Sequence, residues 1–321
     1  MKTLWTTTLC FYLFSAGSVI PVTVSSAAEQ TAAPAKDAVR VAMRNVVYHF
    51  TDDIAVHIIS VQGVLLPTRS PQIVVFDDKT SFLLNLDYAE IAISCDSLAH
   101  VLNERVFAAV DAPIKNVNIQ SKGNTLLVKG NLHQKGNVAF ETVGTLSATA
   151  DGRIRLHAEK VKAAHLPVKG LMDLLGIDFA DVINARKVQG VALEKDDLLL
   201  DPAEILPPPR IRGKVTAVRI QGNEIVQIFG TQTPANFASA VSGNYMAYRD
   251  NELRFGKLTM HDTDMVLIDM NPQDPFDFYL DHYKDQLVAG YSKTTPSSGL
   301  RVYMRDYNKL RKQTAARKGG N

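Results

Sequence analysis

Apolar and polar residues alternate from Ile114 to Lys169, and this pattern predicts the centre of the fold. Four runs with a period of two residues are separated by polar, glycine-containing turns at Ser121–Asn124, Gln134–Asn137 and Asp151–Arg153. Glycine adopts positive φ in such turns without a Cβ clash. A period of two over this length indicates half-buried antiparallel strands. The segment is therefore predicted to form a four-stranded antiparallel sheet with one apolar face.

The apolar face of this predicted sheet is defined by eight alternating positions. Keeping Leu132 and Val138 on one face requires an odd number of residues in the loop between paired residues, and the same holds for Ala150 and Ile154. Bulged loops are therefore expected here instead of two-residue hairpins. These side chains form either ordinary protein core or the wall of an apolar groove. The inward positions are Leu126, Val128, Leu132, Val138, Phe140, Leu146, Ile154 and Leu156.

Several strands and one helix are predicted before this sheet. The helix is capped by Asp96 or Ser97 and ends near Ala109, before Pro113. Cys95 lies between the last strand and the helix, and is expected to be a buried, inert thiol. The apolar stripe of the helix consists of Leu98, Val101, Leu102 and Val106. The strands are predicted at Val46–Phe50, Ile54–Leu66, Ile73–Phe76 and Phe82–Ile93.

Two short helices are predicted directly after the sheet. Pro167 suits the first position of a helix over Val168–Leu175, and a second helix covers about Phe179–Ala185. The first of these is apolar nearly all round. Such a helix is buried in the core, inserts into the concavity of a sheet, or contacts lipid. Its apolar positions include Leu171, Leu174 and Leu175.

The three prolines of Leu206–Pro209 mark the strongest candidate boundary, because proline cannot continue a strand ladder. A helix is predicted from Asp274 to about Leu287, with Asp274 as its cap and Pro275 in its first position. The basic end of the chain is expected to be either solvated or in contact with anionic lipid headgroups. Further strands are predicted at Ile211–Ile220, Ile225–Phe229, Tyr245–Arg249, Leu253–Met260 and Met265–Met270.

These elements predict an α+β fold that is mostly antiparallel β. The chain divides into a signal peptide (1–28), a flexible lead-in (29–40), a β/α domain (41–205), a proline linker or crossover (206–209), a second β meander with a helix (210–292), and a basic tail (293–321). The second meander either stands alone or belongs to the same fold as the first domain.

The first 28 residues have the features of a secretory signal peptide. Lys2 precedes an apolar run, Leu4 to Ile20, and Ser25–Ala28 offers small residues for cleavage. The run is short for a membrane-spanning helix, so a cleaved leader and a periplasmic or secreted protein are expected. Cys10 leaves with the leader, and Cys95 then has no partner for an intramolecular disulfide. The formal net charge of +2 is too balanced to favour a nucleic-acid partner.

The sequence contains none of the common catalytic motifs. Gly290-Tyr291-Ser292 lacks the second glycine of a nucleophile elbow. Asp277, Asp281 and Asp285 recur every four residues, which is typical of a solvated helix face. No enzyme activity, cofactor or metal site is therefore predicted. The alternative is a metal-dependent hydrolase that uses part of the acidic cluster in the last third of the chain, namely His261, Asp262, Asp264, Asp269, Asp274, Asp277, Asp281, His282 and Asp285.

The order of these features resembles the bacterial LmeA-type phospholipid-binding proteins, which look like distant members of the tubular lipid-binding (TULIP) superfamily. The resemblance covers about Val46 to Leu200, and is carried by Gly152–Val161 leading into the apolar stretch Leu166–Leu175. It implies a long twisted antiparallel sheet wrapped around one or two amphipathic helices, with an apolar groove that holds acyl chains. The implied lipid-binding residues are the eight inward sheet positions together with Leu171, Leu174 and Leu175.

Three functions are consistent with this sequence. The first is non-catalytic binding or transfer of phospholipid, or another acyl-chain lipid, in an apolar groove. Each buried CH₂ contributes about 0.8 kcal/mol, so such a groove needs no cluster of ionisable residues. The second is a cell-envelope β scaffold with a closed core and an exposed apolar patch for a partner. The third is the metal-dependent hydrolase, in which Asp262, Asp264 and Asp269 would converge.

Overall fold

The computed structural model describes residues 37–70, 73–110, 112, 114–132, 137–164, 166–168, 189–231 and 234–318. Strands dominate this part of the chain and most of them pair antiparallel, so the mostly antiparallel β class predicted from the sequence is confirmed. The predicted signal peptide and the helical positions Leu171, Leu174 and Leu175 lie outside the described residues.

The elements follow the predicted alternation closely in most places. The strands are β1 Val39–His49, β2 Ala55–Pro67, β3 Val74–Val75, β4 Phe82–Ser94, β5 Ile114–Lys122, β6 Thr125–Leu132, β7 Val138–Ala148, β8 Ile154–Ala163, β9 Leu166–Val168, β10 Val191–Glu194, β11 Asp197–Leu200, β12 Arg210–Arg212, β13 Val215–Gln221, β14 Glu224–Phe229, β15 Tyr245–Arg249, β16 Leu253–Phe255, β17 Leu258–Met260, β18 Asp264–Asp269, β19 Phe276–Tyr279, β20 Tyr291–Thr294 and β21 Leu300–Met304. The helices are α1 Cys95–Val101, which continues as a π-helical turn over Leu102–Val106, α2 Pro202–Ile205, α3 Tyr283–Val288, which follows the 3₁₀ turn Leu280–His282, and α4 Tyr307–Lys318.

The meander sheet, which comprises β5 to β11, contains the four strands predicted from the alternation. Its order is β10-β11-β8-β7-β6-β5, with β9 beside β8. Two of its turn glycines have positive φ, 62° at Gly123 and 93° at Gly152. Leu132 pairs with Val138, and Ala148 pairs with Ile154, so each loop between paired residues has an odd length. The predicted odd length of these two loops is therefore confirmed.

The large sheet joins strands that are far apart in the sequence. Its order is β13-β14-β4-β2-β1-β15-β18-β21-β20, with β12 beside β4 and β19 beside β1. β14, which follows the proline segment Leu206–Pro209, pairs antiparallel with β4, which precedes it. The proline segment is thus a crossover that leads the chain from β11 of the meander sheet back to β12 of the large sheet. A third, small sheet has the order β17-β16-β3.

Three details of the predicted helices are wrong. The cap of α1 is Ser94, whose hydroxyl accepts a hydrogen bond from the backbone N–H of Ser97 at 3.0 Å. Leu166–Val168 is a strand paired with β8, so the predicted helix does not begin at Pro167. Phe276–Tyr279 is a strand parallel to β1, although the sequence predicted a helix there. All four of its residues are buried, and a segment that is covered on both faces loses the alternation that would reveal a strand.

The two larger sheets share one continuous apolar core. Buried side chains from β1, β2 and β4 of the large sheet belong to the same cluster as those from β5 to β8 of the meander sheet. The backbone N–H of Val215 donates to the carbonyl of Gly152 at 3.0 Å, which links β13 to the β7–β8 turn. A second, small cluster around Ala42 and Tyr245 is separate from this core. Among the described helices, none is both long and apolar enough to span a bilayer.

Candidate functional site

The core contains two apolar cavities, of which the first lies against the large sheet. Cavity 1 has a volume of about 60 Å³. Its described lining consists of aliphatic, proline and aromatic residues, so the tyrosine hydroxyls are the polar side-chain groups of this wall. β1, β2 and β4 supply most of this lining, and Leu206, Pro209 and Ile211 contribute from the proline crossover. The aromatic members of the lining are Tyr48, Phe50, Phe76, Phe82 and Tyr248.

Cavity 2 lies between the meander sheet and the large sheet, and has a volume of about 50 Å³. Its lining is aliphatic on the side of the meander sheet. Leu98 and Leu102 contribute from α1 and its π-helical continuation. The side chain of Asn103 holds this turn on β5, because it bonds both the N–H and the carbonyl of Val117 at 2.8 Å. On the large sheet, β14 contributes Ile225 and Gln227.

Leu206 is the one described residue that lines both cavities. Its position is set by α2, which Asp201 caps by accepting a hydrogen bond from the backbone N–H of Ala203 at 2.9 Å. The guanidinium of Arg105 donates to the carbonyl of Ile205 at 3.1 Å, which ties the end of α2 to the helical segment after α1. Leu206 itself is only half-buried and begins the proline crossover. A side chain at the end of a short helix therefore contributes to both cavities.

The structure brings part of the predicted residue set together. Leu132 and Phe140 are buried in the continuous core but line neither cavity, and Val138 is half-buried. Leu171, Leu174 and Leu175 lie outside the described residues. The predicted positions that line cavity 2 are Leu126, Val128, Leu146, Ile154 and Leu156.

Sequence reasoning missed the cavity residues that follow the proline segment. From the sequence, Leu206 belongs to a proline linker or crossover, and the alternation of Ile225, Gln227 and Phe229 predicts only a strand. All three side chains of this alternation are buried. A glutamine at an inward position of an alternating strand was the signal that could have identified Gln227. The sequence contains no comparable signal for the lining of cavity 1, because the strands that form this lining come together only in the folded large sheet.

Two buried polar side chains interrupt the apolar surroundings of cavity 2. Gln227 is 7% exposed and lines the cavity, and within the described part of the chain its amide has no hydrogen-bond partner. The Thr142 hydroxyl is also buried without a partner among the described residues. Thr142 pairs across β6 and β7 with Val128, which lines the cavity. A buried hydroxyl without a partner, such as that of Thr142, is rare in folded proteins and calls for an explanation.

Burial suppresses ionisation of the titratable groups in this interior. It raises the pKa of Tyr48 and of Tyr248 above the ordinary tyrosine value, so both phenols stay neutral. Burial also raises the pKa of the Cys95 thiol, which disfavours the reactive thiolate. Cys95 is buried, as predicted. The described lining of cavity 2 contains no ionisable side chain.

The acidic cluster of the last third does not form one site. Asp264 forms ion pairs with Arg249 and Arg301, at 3.9 and 3.0 Å. Asp269 lies at the other end of the same strand, roughly 17 Å away at about 3.4 Å per residue, where burial raises the pKa of its carboxyl. The structure therefore does not bring Asp264 and Asp269 together, as the metal-dependent hydrolase alternative would require.

The four-residue spacing predicted that Asp277 lies on a solvated helix face, and this prediction is wrong. Asp277 is buried in β19, where its carboxylate bonds to His49 and accepts from the backbone N–H of Asn308 at 2.6 Å. Asp281 instead pairs with Lys79 at 2.9 Å on the surface. The spacing of four residues is thus coincidental here, since the three aspartates lie in a strand, a 3₁₀ turn and a helix.

Within the part of the chain that the structure describes, one group of metal-ligating residue types lies close together, with two exposed members and one half-buried member. Ligand atoms of Asp53, His100 and Glu104 lie within 4.8 Å of one another. His100 and Glu104 are one helical turn apart and bond directly at 2.7 Å, so an exposed ion pair accounts for their approach. Comparisons of the chain with family models, with curated proteins and with solved structures give no match. The candidate site is therefore interpreted from its own chemistry.

Proposed function

We propose that the protein binds acyl-chain lipid, without catalysing a reaction, in the apolar interior between its sheets. The observation that carries this proposal is the pair of apolar cavities that share Leu206 as their wall. Together they extend from the aromatic residues of the large sheet to the aliphatic face of the meander sheet. A hydrocarbon chain matches such a lining, because neither the chain nor the wall needs specific polar partners.

The energetics favour a long chain as the ligand. About ten buried CH₂ groups contribute roughly 8 kcal/mol, at about 0.8 kcal/mol each. Association costs at least about 4 kcal/mol in lost translational and rotational freedom. A short apolar molecule therefore gains too little from burial, whereas an acyl chain of ordinary length leaves a surplus. The predicted phospholipid fits this requirement through its acyl chains.

The volumes require the walls to separate when a chain enters. Cavities of about 60 and 50 Å³ are smaller than the roughly 150 Å³ of an engineered apolar cavity that accepts benzene. Leu206 is the wall with the least support, because it is half-buried and stands at the start of the proline crossover. In this proposal its side chain moves away and the two cavities become one channel.

We also propose that the protein meets its lipid at a membrane surface. A cleaved leader would put the protein in the periplasm or outside the cell, where it could exchange lipid with a membrane surface. The C-terminal helix α4 and the connection between β21 and α4 carry the exposed cations Lys312 and Arg305, respectively. These side chains suit anionic headgroups, which attract each nearby cation by about 1 kcal/mol.

A cell-envelope scaffold is the second candidate, and the small cavity volumes favour it. A protein whose core is filled by its own side chains needs no ligand, and small residual cavities are normal in such cores. This candidate predicts that the purified chain carries no lipid and takes up none. The two functions therefore differ in a directly measurable property.

Native mass spectrometry of the chain, purified without detergent, tests the proposal. We expect adducts of phospholipid mass that solvent extraction removes and that return after incubation with phosphatidylglycerol and phosphatidylethanolamine vesicles. Leu206→Trp should abolish the adducts, because the indole fills the passage between the cavities. Leu258→Trp, at a position that is 46% exposed, is the matched control and should retain them. A bare mass that persists after incubation with vesicles would favour the scaffold.

A further inference from the structure

Gln227 places a primary amide in the wall of an otherwise apolar cavity. The residue lies in β14 between Ile225 and Phe229, and all three side chains point into the core. The backbone on both sides is fixed, because Gln227 pairs with Ile91 of β4 and with Val218 of β13. The amide cannot turn towards the outer face of the sheet without a shift in strand register. Its position in cavity 2 is therefore a fixed feature of the fold.

The stability of the fold does not account for this amide. Within the described residues its N–H and carbonyl groups have no hydrogen-bond partner, although the residue is only 7% exposed. The amide gains no hydrogen bond from the described residues, and an apolar side chain of the same shape would be at least as favourable at this position. A bound molecule that hydrogen-bonds the amide would supply the missing partner.

The rest of the lining restricts the charge of such a molecule. The described residues around cavity 2 include no lysine, arginine or histidine, and the same holds for cavity 1. Among these described residues, a fatty-acid carboxylate would be a buried charge without a cationic partner, which is strongly disfavoured. An ester carbonyl carries no charge, and it accepts the kind of hydrogen bond that the Gln227 Nε2–H group can donate.

We propose that Gln227 binds the carbonyl of a neutral acyl ester whose hydrocarbon chain lies against the aliphatic wall of cavity 2. This inference rests on the proposed lipid-binding function and specifies its ligand class as acyl esters in preference to free fatty acids. Gln227 fixes where along the channel the ester group stops. The chain then extends past Leu126 and Val128 on one side, or towards Leu206 on the other.

Competition binding tests this assignment. The neutral fluorescent dye N-phenyl-1-naphthylamine reports occupancy of the apolar interior, and methyl laurate and laurate compete with it at pH 8, where the carboxylate is ionised. We expect the wild-type chain to bind methyl laurate at least tenfold more tightly than laurate. Gln227→Met, which keeps the length of the side chain, should weaken methyl laurate binding about tenfold relative to the dye, as expected for the loss of one hydrogen bond.

Gln62→Met is the matched control, because Gln62 is also a buried glutamine but lines neither cavity. It should leave the binding of dye and ester unchanged. An unchanged ester-to-dye ratio in Gln227→Met would overturn the role of Gln227 while leaving lipid binding intact. Failure of the wild-type chain to bind dye, ester or vesicle lipid would overturn the proposed function itself. Gln227→Leu provides the same readout if the methionine variant does not fold.

Discussion

The two cavities differ in the kind of side chain that forms them. Cavity 1 is rich in aromatic rings that also contact one another. Phe76 lies 5.5 Å from Tyr248, 5.0 Å from Phe255 and 6.0 Å from Phe278, measured between ring centroids, and each pair has an edge-to-face arrangement. Cavity 2 is lined mainly by leucine, isoleucine and valine from two sheets and a helix, together with the amide of Gln227.

This difference in lining distinguishes a rigid region around cavity 1 from an adaptable region around cavity 2. Aromatic pairs in edge-to-face geometry contribute about 0.5–1.5 kcal/mol beyond the burial of their area, and their rings have few alternative positions. Aliphatic side chains change rotamer more easily, and the wall of cavity 2 comes from elements that contact each other mainly through these side chains. We infer that ligand entry deforms cavity 2 and the Leu206 wall, whereas the aromatic side of cavity 1 stays in place.

The largest expected effect is on stability at the aromatic cluster. Phe76→Ala should lower the free energy of unfolding by about 3–5 kcal/mol, because Phe76 is 3% exposed and contacts several other rings. Leu198→Ala in cavity 2 should cost less, about 2 kcal/mol, because Leu198 is half-buried and its surroundings can relax. Denaturant unfolding of both variants measures the difference. Equal costs would remove the distinction between the two regions.

Truncation of Leu206, which lines both cavities, is expected to have the next largest effect on stability. Leu206→Ala should cost about 2 kcal/mol of stability, because Leu206 is half-buried, and should join the cavities into one channel. We expect the extracted lipids to shift towards longer acyl chains, which mass spectrometry of the solvent extract measures. The surface change Leu258→Ala is the control for handling and expression. An unchanged chain-length profile in Leu206→Ala would show that Leu206 does not limit the channel.

The same two regions show what could be predicted from the sequence. The meander sheet was predicted almost completely, because its strands pair with their neighbours in the chain and each has one buried face. Five residues of cavity 2, from Leu126 to Leu156, were identified by that alternation alone. Here the local pattern and the tertiary pairing carry the same information.

Cavity 1 could not be predicted, because its wall depends on pairing between distant strands. β1 pairs with β2, β15 and β19, and the last two follow it by about 200 residues. No local period encodes that order. β19 shows the same limit, since Phe276 and Phe278 fit the stripe of a helix as well as a strand that is buried on both faces. The position of Leu206 in the cavity linings could not be predicted for a related reason, because the prolines beside it indicated a domain boundary.

The smallest expected effect distinguishes the cavities by their response to pH. Burial raises the pKa of Tyr48 and Tyr248 in cavity 1, so the folded state holds their protons more tightly than the unfolded state does. This contribution to stability is fully present below the unfolded value of about 10, and is lost as the pH rises above it towards the higher pKa of the folded state. Tyr48→Phe removes one such group. The alkaline decline in unfolding free energy should then be shallower, by at most about 1.4 kcal/mol per pH unit.

The control for this prediction is Tyr291→Phe, at a position that is 44% exposed and outside both cavities. Urea unfolding between pH 8 and 11 measures the slopes, and equal slopes for the two variants would argue against neutral, buried phenols in cavity 1. Binding of the neutral dye should meanwhile be constant between pH 6 and 9, because the described lining of cavity 2 has no group that titrates. A pH-dependent dye affinity in that range would place the ligand near ionisable groups, and therefore outside cavity 2.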